Sequence, residues 1–345
     1  MDRREFHYQL PDSLIAAYPT RDRQESRLLV IQRRSGEIIH SVFSELGDFL
    51  DAGDLLVLND TKVFPARLRG VKDSGGKAEV LLLERFPGAR SLWIALIDAA
   101  KKPRVGSRIR FGADLVAEII GDMGRGRFGV EFHHAGDFDE QLNALGEPPL
   151  PPYIRRSRET DLADWDRYQT VYAAHSGAIA APTAGFHFTQ ALFDKLEAKG
   201  IVRALLTLHV GPGTFQPVRD AEIEQHRMEG ERYMLTAAAA DKINRAKQAG
   251  HRVVAVGSTS TRALEWVALQ NGKIEADEGI ARLFIRPGDS FRIIDALITN
   301  FHLPDSTPLI LVAAFAGIEL VRSAYAEAIK MRYRFYSYGD AMLIL

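Results

Sequence analysis

Four segments in the second half of the chain interrupt its apolar pattern in the same way: each follows an apolar run and sets small residues beside a His, Thr or Asn. They are residues 181–188 (APTAGFHF), 207–215 (TLHVGPGTF), 257–262 (GSTSTR) and 298–304 (ITNFHLP). In open α/β folds ligands collect beyond the carboxyl ends of strands, where such loops lie, so these segments are the candidate pocket. His187, His209, His226 and His302 are each a general base, a metal ligand or a satisfied core histidine. No two of them have the HExxH spacing that puts two ligands on one helical face, and a scattered three-histidine zinc site stays an open alternative. Gly211 and Gly213 let the backbone come close to a ligand or simply make a tight turn, and Thr214 and Phe215 continue that loop.

Residues 257–262 sit where a strand gives way to a helix. The amides and hydroxyls of Ser258 and Thr259, with Arg262 one turn on, therefore suit an anion at a helix N-terminus. The competing reading is an N-cap with no ligand. The GxxxxGK[ST] pattern is missing, which removes support for a nucleoside-triphosphate loop. Near the end of the chain, residues 333–340 (YRFYSYGD) offer Tyr336 and its neighbours to a base or a cation. A packed C-terminal strand accounts for these aromatics equally well, and for Gly339-Asp340 less well.

Positioning such loops requires a scaffold of alternating strands and helices. Residues 28–31 and 55–58 read as buried strands, the first turned by Arg34-Ser35-Gly36 into Ile38-Ile39. The second ends at Asn59-Asp60-Thr61, read as a turn whose side chains bond their own backbone. Residues 6–11 read as a short strand, followed by a helix capped at Asp12 or Ser13. Past the middle of the chain, helices are expected over 191–199, 236–249 and 260–269, with strands over 202–208 and 252–256. Gly200, Gly250 and Gly272 stop the helices.

Between these parts the composition changes. Short apolar runs at 78–83, 92–97, 108–111, 115–120 and 129–132 are separated by Gly, Asp and Pro, as in a small antiparallel barrel or sandwich. Pro148-Pro149-Leu150-Pro151-Pro152 makes a stiff exit. The fold expected is an α/β main domain with a mixed sheet, built from residues 1–64 and 155–345 and interrupted by an inserted antiparallel β-barrel over 65–154.

A chain of 345 residues with 46% hydrophobic and 26% charged residues is ordinary globular composition. It has no cysteine, which excludes disulfides, thiolate zinc sites, iron–sulfur clusters and a cysteine nucleophile. The N-terminus lacks the apolar core of a signal peptide, and the most apolar stretch, 307–320, is shorter than a bilayer span. A cytoplasmic protein without membrane contact is expected. The net charge of −1 gives no global field for nucleic acid, so RNA contact falls to local basic clusters: Lys101-Lys102 with Arg104, Arg108 and Arg110; Arg125 with Arg127; and Arg155-Arg156 with Arg158.

Read in order, these motifs resemble the S-adenosylmethionine:tRNA ribosyltransferase-isomerase family of queuosine biosynthesis. The resemblance runs through residues 6–11, Ser26-Arg27-Leu28-Leu29-Val30, Asn59-Asp60-Thr61, Pro65-Ala66-Arg67, 168–173, 180–189, 207–218, ITNFHLPDST within 294–316, and YRFYSYGDAML within 333–344. It departs at His226-Arg227-Met228-Glu229-Gly230-Glu231, where Glu229 replaces the second histidine of the usual His-x-Met-His-x-Glu pattern. A GTTS-type turn here reads Gly257-Ser258-Thr259-Ser260, which keeps its hydroxyls.

The resemblance implies transfer and isomerisation of the ribosyl part of S-adenosylmethionine onto 7-aminomethyl-7-deazaguanine, at the wobble position of tRNA with a GUN anticodon. The products are epoxyqueuosine, adenine and methionine. It implies no metal or further cofactor, S-adenosylmethionine being a consumed substrate, and a monomer. The reaction starts with loss of a proton from the carbon beside the sulfonium, which needs a base in hydrogen-bonding range. His187 or His209 is expected in that role, with Asp295 a third member of the reacting group. Asp295 and Asn300 suit ribose hydroxyls or base edges, and Phe215 or Tyr336 suits the sulfonium. Thr183, His226, His302 and Asp340 complete the expected substrate contacts, and the basic run at 155–158 is expected to guide the anticodon stem. A non-catalytic RNA-binding adaptor and a metal-dependent hydrolase are the alternative readings.

Overall fold

The computed structural model describes residues 1–86, 88–151, 154, 163–215 and 218–345, with the side chains of residues 163, 164, 214 and 215 outside the description. Its larger part is a nine-stranded mixed sheet. At the centre, Val202–Leu208, Leu55–Asn59, Val253–Val256 and Ala296–Asn300 lie side by side and parallel. Leu55–Asn59 is buried at every residue, as its unbroken apolar run requires of a strand covered on both faces. Ala341–Ile344 joins antiparallel to Ala296–Asn300, then Arg27–Ile31 parallel to it, with Ile38–Val42 at one edge. Glu231–Leu235 and Asp277–Ala281 extend the other edge antiparallel.

Helices cover both faces. Ala237–Gln248, Gly257–Asn271, Thr307–Ala316 and Ile318–Lys330 pack over one, in a core that includes Val57, Ile243, Leu264 and Leu311. The turn Phe43–Phe49 and helix Gln190–Ala198 cover the other through Phe43, Leu46, Phe193 and Leu196. Local chemistry sets the helix ends. Thr236 and Ser306 accept amide hydrogen bonds as N-caps, and Gly272 takes the left-handed conformation (φ 71°) just past its helix.

Six antiparallel strands form a closed barrel: Arg67–Lys72, Lys77–Arg85, Leu92–Ala99, Arg108–Phe111, Leu115–Gly124 and Arg127–His134. Their inward residues alternate along each strand, as in Val80 and Leu82, or Leu115, Ala117 and Ile119, and they fill a separate core. Helix Phe138–Leu145 closes one end with Phe138 and Leu142. Each of the five apolar runs read from the sequence became a barrel strand. Arg67–Lys72 did not show in that reading, because only two of its six residues are strongly apolar.

Three local expectations are corrected. Residues 6–11 form no strand and residues 12–16 no helix; short 3-10 turns occupy Arg3–Phe6 and Asp12–Leu14, and Ile15 bridges to Phe335 instead. Tertiary pairing with the C-terminal segment overrides a weak local helix signal. Asn59-Asp60-Thr61 is no reversal, since the chain continues into strand Thr61–Val63, paired with His175–Ala178. Its side chains serve neighbouring strands more than their own backbone. The aromatic run before Ala341–Ile344 is a bent segment, with Tyr336 at φ 74°, so the strand begins only after Asp340.

Candidate active site

The four central parallel strands end on the same side of the sheet, and the segments leaving them converge there. They enclose a cleft of about 680 Å³, open to solvent, whose lining includes Thr183, Ser258, Thr259, Asn300, His302 and Tyr336. Residues from four separate motifs thus meet in one cavity, where crossover topology places ligands in α/β sheets.

Asn59 ties this rim together. Its amide exchanges two hydrogen bonds of 2.9 Å with the backbone of Leu208 and donates to Thr259 Oγ1 at 3.2 Å, so three loops share one buried side chain. Asn300 donates to the Tyr336 carbonyl at 3.0 Å, and its Oδ1 is buried without a hydrogen-bond partner. The bend that brings Tyr336 there depends on Gly339, where a Cβ would lie 2.5 Å from the Arg334 carbonyl oxygen. Asp340 fixes the same bend by accepting from the amides of Arg27 (2.9 Å) and Arg334 (2.7 Å). Asp340 is therefore a buried support behind the cleft, not part of its wall. His302 sits 2.7 Å from Thr299 Oγ1, and its carbonyl and amide are held by the hydroxyls of Tyr8 and Tyr325. Burial depresses the His302 pKa to about 3, so the ring is neutral at physiological pH.

The two expected bases differ. His187 is buried outside the cleft, with Nδ1 2.9 Å from Ser26 Oγ and its ring 4.9 Å from that of Phe43. It lines a smaller neighbouring cavity with Arg23 and Tyr338. Burial lowers its pKa to about 4, partly opposed by Asn300. His187 Nε2 and Asn300 Oδ1 both lack a well-formed hydrogen bond, yet Asn300 acts on the proton affinity of His187, so the two groups are close neighbours. His209 is half-buried against Gly177, with Nδ1 2.8 Å from Thr61 Oγ1. Its pKa is lowered by burial and by the nearby Arg232 and His175. Val210, the next residue, lines the cleft.

Other expected residues are placed elsewhere. Asp295 stands at the amino end of strand Ala296–Asn300, roughly 16 Å of extended chain from the cleft rim. There it is saturated by the Lys247 ammonium (3.0 Å) and the Val253 amide (2.8 Å). The direction of the strand puts Asp295 at the end of the sheet opposite the cleft. His226 lies 3.6 Å from Asp220 and edge-on to Phe284, outside the cleft wall. Gly211 donates its amide to Glu231 at 3.0 Å, and Glu231 in turn pairs with Arg262. Gly213 packs on Glu229, whose carboxylate bonds Arg127 of the barrel. The side chains of Thr214 and Phe215 and the basic run at 155–158 lie outside the described residues.

Sequence reasoning missed Glu231 and the pair Asp60–His175. Glu231 is buried and anchors the glycine loop, a role signalled only by its place in the His-x-Met motif. Asp60 accepts from Thr207 at 2.6 Å and lies 3.6 Å from His175; burial raises its pKa. Among the described residues no three His, Cys, Asp or Glu side chains come together in a metal-binding group.

A cleft at the carboxyl ends of a mixed α/β sheet, with a closed barrel inserted in the chain, defines a two-part α/β enzyme class. Residues 3–344 match the model of the queuosine biosynthesis protein family, and the chain belongs to that family. Over 347 aligned residues it is 50% identical to the S-adenosylmethionine:tRNA ribosyltransferase-isomerase of Caldanaerobacter subterraneus subsp. tengcongensis, covering 100% of each chain. It is 48% identical to the enzyme of the same name from Staphylococcus haemolyticus, again over 100% of each. The crystal structure of S-adenosylmethionine tRNA ribosyltransferase from Thermotoga maritima is similar at 36% identity, with a TM-score of 0.56, over 99% of this chain and 100% of that one.

Proposed function

We propose that this protein is an S-adenosylmethionine:tRNA ribosyltransferase-isomerase. It moves the ribosyl part of S-adenosylmethionine onto 7-aminomethyl-7-deazaguanine at the wobble position of GUN-anticodon tRNA and isomerises it, releasing adenine and methionine. The observation that carries this reading is the cleft, where Thr183, Ser258, Asn300, His302 and Tyr336 meet in a chain matched end to end by enzymes of that name. The donor is a consumed substrate, and the enzyme works as a cytoplasmic monomer with no further cofactor. Residues 1–64 and 155–345 act as one α/β unit carrying the cleft, and 65–154 as an inserted unit.

Within this reading the two histidines take different parts. His209 stands next to the cleft-lining Val210 and is not itself in the lining; Thr61 fixes it through Nδ1, and its Nε2 is the group assigned to take the proton from the carbon beside the sulfonium. His187 is sealed behind the wall, where it steadies Asn300. The carbonyl-side oxygen of Asn300, already beside His187, has a second lone pair to accept from a ribose hydroxyl. The ring of Tyr336 offers a π face to the sulfonium. The basic run at 155–158 draws in the anticodon stem, giving tRNA affinity that falls with salt.

The purified protein, given S-adenosylmethionine and tRNA bearing the deazaguanine precursor, is expected to release adenine and methionine in equal amounts as the tRNA gains mass. Tight tRNA binding with no adenine release would overturn the reading in favour of an RNA-binding adaptor.

A further inference from the structure

Arg262 lies one turn into helix Gly257–Asn271, and its side chain is only 7% exposed. Its Nε donates to the Leu283 carbonyl at 3.0 Å and its Nη1 to Glu231, but Nη2 is buried with no hydrogen-bond partner. A guanidinium N–H left unpaired in the interior is costly, so a partner from outside the chain is the natural completion. Arg262 lines a narrow notch with Ser258, Leu283, Thr307 and Pro308, and Ser258 and Pro308 also line the main cleft. The notch thus adjoins the cleft through Ser258 and Pro308, and the residue with the unpaired donor belongs to its lining.

Two backbone features add to that donor. Val256, at the N-cap of helix Gly257–Asn271, brings no side-chain cap, and Gly257 turns in at φ 90°, so the first-turn amides at Ser258 are left for a ligand. Glu231 already balances the charge of Arg262, so the notch suits one compact anion held by hydrogen bonds rather than a polyanion.

We propose that this notch holds the α-carboxylate of the methionine end of the donor, with Arg262 Nη2 and Ser258 as its contacts. This rests on the S-adenosylmethionine reading above. It sets the donor's polarity in the cleft: the methionine end lies toward Arg262, while the sulfonium, ribose and adenine occupy the larger space near Tyr336, Asn300 and His302. A carboxylate oxygen can accept from the remaining Nη2, and the carboxylate lies at the end of the donor away from the reacting ribose. Methionine, once released, keeps this contact and competes with incoming donor. Arg262 is therefore a substrate-positioning residue, held in place by Glu231.

The test compares equilibrium binding of S-adenosylmethionine with that of its decarboxylated analogue to the full-length protein. The wild type is expected to bind the carboxylate-bearing form roughly 10- to 100-fold more tightly, the range of a charge-assisted contact. Arg262→Lys keeps the charge but has no equivalent of Nη2, and is expected to bind both forms with similar, weak affinity. Ser258→Ala is expected to shrink the ratio less. If Arg262→Lys fails to fold, the wild-type ratio, together with competitive inhibition by methionine against the donor, decides the matter. Equal wild-type affinity for both ligands overturns the assignment, as does an Arg262→Lys effect confined to the KM for tRNA, which would assign the notch to a phosphate. Adenine release without discrimination sinks the notch alone, whereas no binding of either ligand sinks the functional reading with it.

Discussion

The two ends of the central sheet are built from similar residues and do opposite work. At the amino end, Asp54 is 2% exposed and takes the Arg252 guanidinium, and Asp295 takes Lys247 and the Val253 amide. Both carboxylates have found partners within the chain. At the carboxyl end, Arg262 Nη2 is buried without a hydrogen-bond partner, and Asn300 Oδ1 and His187 Nε2 have only each other. Burying an unpaired polar group costs about 1–3 kcal/mol unless water or a ligand completes it. The contrast separates polar residues paired within the sheet from those left open at its carboxyl end, even though both kinds flank the same strands.

The largest way to break the comparison is at His209. His209→Ala is expected to lower kcat by about 10²- to 10⁴-fold, the usual worth of a positioned base, with little change in the dissociation constant for S-adenosylmethionine. A variant with full turnover would remove it from the mechanism. At the opposite end, Asp54→Ala is expected to cost about 2–4 kcal/mol of stability while leaving turnover per folded molecule intact, because it removes the buried partner of the Arg252 guanidinium; the exposed Asp51 at 2.9 Å and the partial exposure of Arg252 keep the loss below that of a fully buried pair. Denaturant titration together with active-site counting would show whether the loss is confined to folding.

Acid sharpens the difference. His187 titrates at about 4 in the folded chain, against about 6.5 when unfolded, because burial disfavours its charged form. Between those values the unfolded chain takes up the extra proton, so stability is full above about pH 6.5 and falls as pH drops toward 4. This group accounts for about 3 kcal/mol of that loss. His302, depressed to about 3, acts in the same direction. Unfolding free energies measured from pH 7 to pH 4 should therefore fall steeply, and less so in His187→Gln; an unchanged slope in that variant would deny the depressed pKa. The smallest effect is expected at Glu229, whose ion pair with Arg127 is about one-third exposed at each partner. Glu229→His, which restores the usual family residue, should change stability by less than about 1 kcal/mol. A larger loss by thermal melting would mean that the barrel contact is more than a screened surface pair.

The amino-acid sequence by itself determined the division into an α/β part and a β-barrel, though not every element within them. Alternating apolar residues such as Leu115, Ala117 and Ile119 can be satisfied only by strands with one buried face, and the unbroken run 55–58 only by a strand buried on both. Small residues beside His, Thr and Asn marked the loops, since regular elements have little use for them there. Which side chains meet was decided by the tertiary structure. His187 and His209 look alike in sequence, yet one is sealed behind Asn300 and the other stands at Thr61, because the strands beneath them carry the two residues to different walls. Glu231 and Arg262 are 31 positions apart, and only the packing of a sheet edge against a helix makes them a pair. The unpaired third nitrogen of Arg262 has no trace in the sequence either, because whether a hydrogen bond is missing depends on everything packed around the donor.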